Sequence, residues 1–152
     1  MFKQGQEICL KSGIYLYAGS ARAEQGASSL GSRLLRHATR SGDMPQHAIR
    51  KRLHHALIDA GLPAKVPARK TPHWHIDYLL DLPQADLCGV IAVRSPQVDE
   101  VTLADALAAM PETSIPARGL GASDHPGGTH LFRVQARRTW WENLPKLLQG
   151  LI

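Results

Sequence analysis

The spacing of apolar and polar positions changes several times along the chain, and each change marks an expected element. Gly13–Ser20, GIYLYAGS, is aromatic and β-branched between glycines and reads as a strand. The small, polar stretch Ala21–Ser29 reads as a loop. Leu30, Leu34 and Leu35 open a helical spacing that carries Arg33, Arg36, His37 and Arg40, and Ser41-Gly42-Asp43 ends it. A second helix is expected from Pro45, a residue tolerated in a first turn, with Ile49, Leu53, Leu57 and Ala60 inward and Gly61 as the stop. After a basic, proline-containing loop over 62–72, His73–Leu80 alternates as a strand would, and Leu87–Val93 is an apolar run expected to form a buried strand. Asp99–Met110 reads as a helix, 111–128 as a loop, Thr129–Val134 as a short strand and about 137–149 as a last helix. That helix carries Trp140, Trp141, Leu144, Leu147 and Leu148, a face expected to cover the core, with a partner interface as the alternative. Strands and helices do not strictly alternate, which predicts an α+β layer structure in one domain over 1–152 and not a doubly wound parallel sheet.

Composition narrows the class without naming a function. The 152 residues are 43% hydrophobic and 20% charged, an ordinary globular balance that excludes collagen-like and disordered chains. Cys9 and Cys88 are too few and too far apart for a disulfide framework or a cysteine zinc site, which fits a reducing cytoplasm. No apolar run approaches the roughly 20 residues that span a bilayer, and the opening MFKQGQEICLKSG lacks a signal-peptide apolar stretch. Charge says more, because the net +5 is uneven. Residues 33–70 hold nine bases, Arg33, Arg36, Arg40, Arg50, Lys51, Arg52, Lys65, Arg69 and Lys70, against Asp43 and Asp59. Residues 71–132 hold two bases against eight acids. A basic block of this kind is either the footprint of a polyanion binder, with Arg36, Arg40, Arg50, Lys51 and Arg52 facing nucleic acid, or a solvated helical face.

One strand-to-helix junction has the parts for phosphodiester chemistry. Alternation puts Tyr15 and Tyr17 on one face of the first strand, and Arg33 and His37 are four apart on one face of the helix. Hydrolysis needs a proton acceptor for water and a cation on the phosphoryl oxygens. The bland alternative is a pair of half-buried tyrosines with surface hydroxyls.

GIYLYAGSA followed by SLGSRLLRH resembles the second half-motif of the GIY-YIG nuclease superfamily, in which a Tyr-x-Gly strand leads to a helix with an Arg and a His four residues on. HWHIDYLL at 73–80, the helix entered through Asp99-Glu100, and GLGASDHPGGTHLFRV at 119–134 extend the likeness to the GIY-YIG-like family known as domain of unknown function DUF123. The resemblance covers residues 8–134 and implies a small antiparallel sheet flanked by helices, with the basic second helix in an insertion at about 41–72. It further implies one Mg²⁺ or Mn²⁺ held by Glu100, Tyr17 or Tyr15 activating water, Arg33 steadying the phosphate and His37 assisting. The expected function is a nucleic-acid-binding domain, DNA before RNA, that cuts phosphodiesters with a divalent metal. No Tyr precedes Gly13 to supply the superfamily's first half-motif, so a binding module that has lost its active site stays open as the alternative.

A second cluster, His73, His75, Asp77, Asp124, His125 and His130, admits two readings. On a strand His73, His75 and Asp77 would share a face at a usable metal-ligand spacing, and imidazole with carboxylate would suit a transition metal, which leaves a His/Asp metal-binding protein with no nucleic-acid role as a further alternative. The same residues equally suit a hydrogen-bonded polar cluster.

Overall fold

A computed structural model describes residues 7–21, 23–67, 69–95, 97–120 and 128–151. In chain order the elements are β1 (Ile14–Tyr17), α1 (Leu30–His37), α2 (Arg50–Asp59), α3 (His75–Leu80), α4 (Glu100–Ala108), β2 (Thr113–Ser114), β3 (Leu131–Val134) and α5 (Arg138–Gln149). The protein is α+β, with one antiparallel sheet of order β1-β3-β2 among the described residues. The described residues gather into two compact units, one from 1–19 with 91–152 and one from 20–90.

The first unit is the sheet with α4 and α5. β1 pairs with β3 so that Leu16 faces Phe132 and Tyr17 faces Leu131, and Thr113 of β2 lies opposite Val134. Period-two alternation then sends Leu16 and Phe132 to one face and Tyr15, Tyr17 and Arg133 to the other. Phe132 is fully buried among Ala104 and Leu107 of α4 and Leu144 and Leu148 of α5, with Leu16, Trp140 and Trp141 packed around them. Burying side chains of this size contributes roughly 1.5–3 kcal/mol each, so the helix-covered face is where this unit gains its stability. Asp99 starts α4 by accepting from the Thr102 amide at 2.8 Å.

The second unit is α1, α2 and α3. Leu35 and Ala38 of α1 meet Leu53 and Leu57 of α2, with Ile49, Leu62, Leu87 and Val90 partly buried against them. Ser29 caps α1: its Oγ accepts from the Ser32 amide at 3.4 Å and donates to the Gly26 carbonyl at 2.9 Å. Ser29→Ala is expected to lower stability by about 1 kcal/mol, read as a downward shift of the urea midpoint at unchanged m-value.

Five expectations are corrected. His73–Leu80 is not a strand, because from His75 it is helix α3. The Asp77 carboxylate accepts from the His73 and Trp74 amides at 3.0 and 3.2 Å and closes the first turn. Ile76 and Leu80, four apart, are then buried on one side. Leu87–Val93 forms no strand: Leu87 and Val90 pack on the second unit's cluster and Val93 on the first unit's, so the apolar run serves two cores without pairing to either side. The second helix begins at Arg50 and not at Pro45, and Arg40 lies beyond the end of α1. The 111–128 stretch, expected to be loop, contributes β2.

Candidate functional site

Helical spacing puts Arg33, Arg36 and His37 on one flank of α1. They meet Trp74, the residue that leads into α3. The Cζ atoms of Arg33 and Arg36 lie 4.5 and 5.2 Å from the Trp74 ring centroid. The rings of His37 and His73 approach it edge-on, with centroids at 6.3 and 5.1 Å. Asp77 sits fully buried in the same cluster. Its Oδ2 accepts from Arg36 Nη2 at 2.9 Å, and its Oδ1 lies 3.5 Å from both His37 Nδ1 and Lys70 Nζ. Burial by itself would push this carboxyl up. The bonds from His37, the His73 amide, Arg36 and the Trp74 amide outweigh that and hold it well below the usual carboxylate range. The Lys70 side chain is also fully buried and reaches Asp81 Oδ1 at 3.1 Å. Burial would likewise raise Asp81, but bonds from Ser41 and Lys70 hold it below its ordinary value.

This packing sorts the nine bases of residues 33–70, which are equivalent as letters. Arg36 is held by Asp77 and the Thr71 carbonyl. Arg40 bonds the carbonyls of Leu80 at 3.2 Å, Pro45 at 2.9 Å and Ala85. Arg50 donates to Thr39 Oγ1 at 3.0 Å, and Lys70 serves Asp77 and Asp81. Arg36 and Arg40, expected on a nucleic-acid face, thus stitch the second unit together. The side chains of Arg33, Lys51, Arg52, Lys65 and Arg69 have no hydrogen bond or ion pair among the described residues, and Lys51, Arg52, Lys65 and Arg69 are exposed.

In the first unit the candidate groups are Tyr15, Tyr17 and Glu100. Tyr15 donates its hydroxyl to the Lys11 carbonyl at 2.6 Å. The Tyr17 ring lies against Gly19, where a Cβ would come within 2.9 Å of Tyr17 Cε1, so a side chain there would displace the phenol. Glu100, in the first turn of α4, contacts Nδ1 of the buried His130 through Oε1. The Ala18 amide donates to the His130 carbonyl at 2.9 Å and continues the β1–β3 ladder. That continuation puts His130 on the Phe132 side, away from the side of Tyr15 and Tyr17.

The proposed strand face of His73, His75 and Asp77 does not form. His73 lies edge-on to Trp74, burial pushes the His75 imidazole down, and Asp77 is taken up by cations and amides. Asp124 and His125 lie outside the described residues. No group of three or more His, Cys, Asp or Glu side chains suited to a metal occurs among the described residues. A strand over 73–80 would turn Trp74 away from His73, His75 and Asp77, and the sequence sets Lys70 apart from the other bases of the block in no way. The signal for the helix start was Asp77 three residues after Trp74, the spacing of a carboxylate that closes a first turn.

A family model described as Domain of unknown function DUF123 matches residues 1–152, the whole chain. No curated protein and no solved structure matches.

Proposed function

The chain belongs to the DUF123 family, and from that premise we propose that it binds nucleic acid through the basic face of its second unit and cleaves phosphodiesters with a divalent metal. The observation that carries the binding is the set of five cations whose side chains have no hydrogen bond or ion pair among the described residues: Arg33, Lys51, Arg52, Lys65 and Arg69. Each is available to a phosphate, whereas the other four bases of the block are held by acceptors of the protein itself.

The cleavage reading concerns Glu100. Its carboxylate is a hard donor with the side chain 16% exposed, and its Oε1 contacts His130. One such carboxylate, with waters and substrate oxygens, fits Mg²⁺ or Mn²⁺. When bound, the ion supplies a Lewis acid for a phosphoryl oxygen and a more acidic water. His130 keeps the Glu100 carboxylate in one orientation. A binding module without cleavage is the second reading. It is favoured by the Tyr15 hydroxyl, which is already bonded to the Lys11 carbonyl.

Plasmid and branched DNA incubated with purified protein and Mg²⁺ or Mn²⁺, beside an EDTA control, separate the two. Cutting that requires metal and disappears in Glu100→Ala supports the nuclease, and cutting that survives either treatment removes Glu100 from that role. Tight binding without cutting leaves the second reading. The binding itself has a quantitative signature, since each phosphate contact adds about 0.9 to the slope of log K against log salt on duplex DNA. Five available cations cap that slope near 4.5 in magnitude, and Lys51→Ala with Arg52→Ala is expected to lower it by nearly 2. A slope near 8, as nine equivalent bases would give, would overturn the sorting of the block.

A further inference from the structure

Arg33 differs from every other cation around it. Arg36 and Lys70 turn to Asp77, the His37 imidazole lies beside it, and two backbone amides use the same carboxylate. Arg33 has no carboxylate, and its described partner is the Trp74 ring, 4.5 Å from Cζ to centroid. We infer that Trp74 is a positioning residue that holds the Arg33 guanidinium as a preset clamp for a phosphodiester group of a bound nucleic acid. The inference rests on the nucleic-acid reading above and deepens it.

The physical case has three steps. A guanidinium stacked on an aromatic face is attracted by the ring quadrupole and gives up none of its N–H donors, because these lie in its own plane. The stacked group therefore keeps the two-pronged edge that matches a phosphate. A free arginine loses side-chain freedom when it binds, and one already held by a ring loses less. The backbone that carries the ring is held, because Asp77 accepts from the amides of His73 and Trp74 and is anchored by Arg36 and Lys70. Both oxygens of this acid already face basic groups, Oδ2 at Arg36 and Oδ1 at His37 and Lys70, and not Arg33, so the order of support runs from Asp77 to Trp74 to Arg33.

The test is a double-mutant cycle read by fluorescence anisotropy with a labelled single-stranded oligonucleotide on the full chain. Arg33→Ala is expected to weaken binding roughly tenfold or more, the scale of a charged hydrogen-bonded contact. It should also reduce the salt slope by about 0.7. Trp74→Leu is expected to weaken it about threefold, the scale of an exposed cation–π contact. In the Arg33→Ala background the same Trp74→Leu change should cost nothing further. Trp74→Phe should restore most of the affinity, and Arg33→Lys, which keeps the charge without the planar fork, should not. An equal loss from Trp74→Leu with and without Arg33 would overturn the inference, since Trp74 would then touch the ligand itself or act only on folding. So would full affinity in Arg33→Ala while Lys51→Ala and Arg52→Ala weaken binding, an outcome that leaves the nucleic-acid reading standing. Wild-type protein that binds no oligonucleotide would remove both. Thermal unfolding of each variant, with Trp74→Phe and Arg33→Lys as the gentle changes, separates a lost fold from a lost contact.

Discussion

Asp77→Ala is expected to remove about 3–5 kcal/mol of stability, the range for breaking a buried ion pair by deleting one partner. The size follows from what would be left behind. Asp77 is fully buried, and so is the side chain of Lys70, 3.5 Å from its Oδ1. Arg36 Nη2 is 2.9 Å from Oδ2. Removing the carboxylate leaves these cations facing low dielectric with only Asp81 and the Thr71 carbonyl to satisfy them. It also removes the acceptor of the His73 and Trp74 amides, so α3 loses its starting turn. Asp77→Asn should lose less than Ala, because an amide oxygen still accepts from a backbone N–H. Urea unfolding followed by circular dichroism measures both, and an Asp77→Ala variant within 1 kcal/mol of wild type would show that the cluster carries little net stability.

The same carboxyl predicts the acid limb of the stability curve. Its pKa is depressed in the folded chain, so its contribution is present above the unfolded carboxylate value of about 4 and is lost as pH falls from there through the lower folded value. Asp81 is shifted in the same direction and adds to the trend. The gap between wild type and Asp77→Ala is therefore expected to be full at pH 6 and to narrow as the pH is taken below 4.

Much of this architecture was legible where a single period ran long enough to dominate. Leu30 to Leu35 gave α1, Val101 to Leu107 gave α4, and alternation around Tyr15–Tyr17 and Leu131–Val134 gave the paired strands. The misread segments were short or served two purposes. His73–Leu80 is six helical residues behind two loop residues, and over such a window HWHID satisfies both a period of two and a capped turn. Only a tertiary fact decides between them, namely that Asp77 turns inward to Arg36 and Lys70. The basic block shows the same limit for function. Its charge was countable, but the division between Arg40, bound to three carbonyls, and Arg52, exposed, depends on contacts of which two are 40 or more residues away in sequence.

Gly31→Ala is the second large effect, and here two principles oppose each other. Gly31 lies inside α1, where glycine costs about 0.5–1 kcal/mol relative to alanine, so helix propensity alone predicts a gain from the change. Packing predicts a loss. A Cβ at Gly31 would stand 2.6 Å from the Leu62 carbonyl oxygen and 2.8 Å from that of Pro63. Both are backbone atoms and cannot rotate away as a side chain would, so the 62–63 segment must retreat. That retreat is resisted at its far end, where the Lys65 amide donates to Ser32 Oγ at 3.0 Å, and it would loosen Leu62 from the Leu35–Leu57 cluster. Overpacking of this kind costs about 1–3 kcal/mol, which exceeds the propensity gain, so the variant should be less stable than wild type. Gly89→Ala is the matched control, because nothing lies within 4 Å of a Cβ there, and it should be neutral within about 0.5 kcal/mol. Gly31→Ala raising the urea midpoint would mean that propensity wins and that the close approach of residues 62–63 to α1 is not a constraint on this fold.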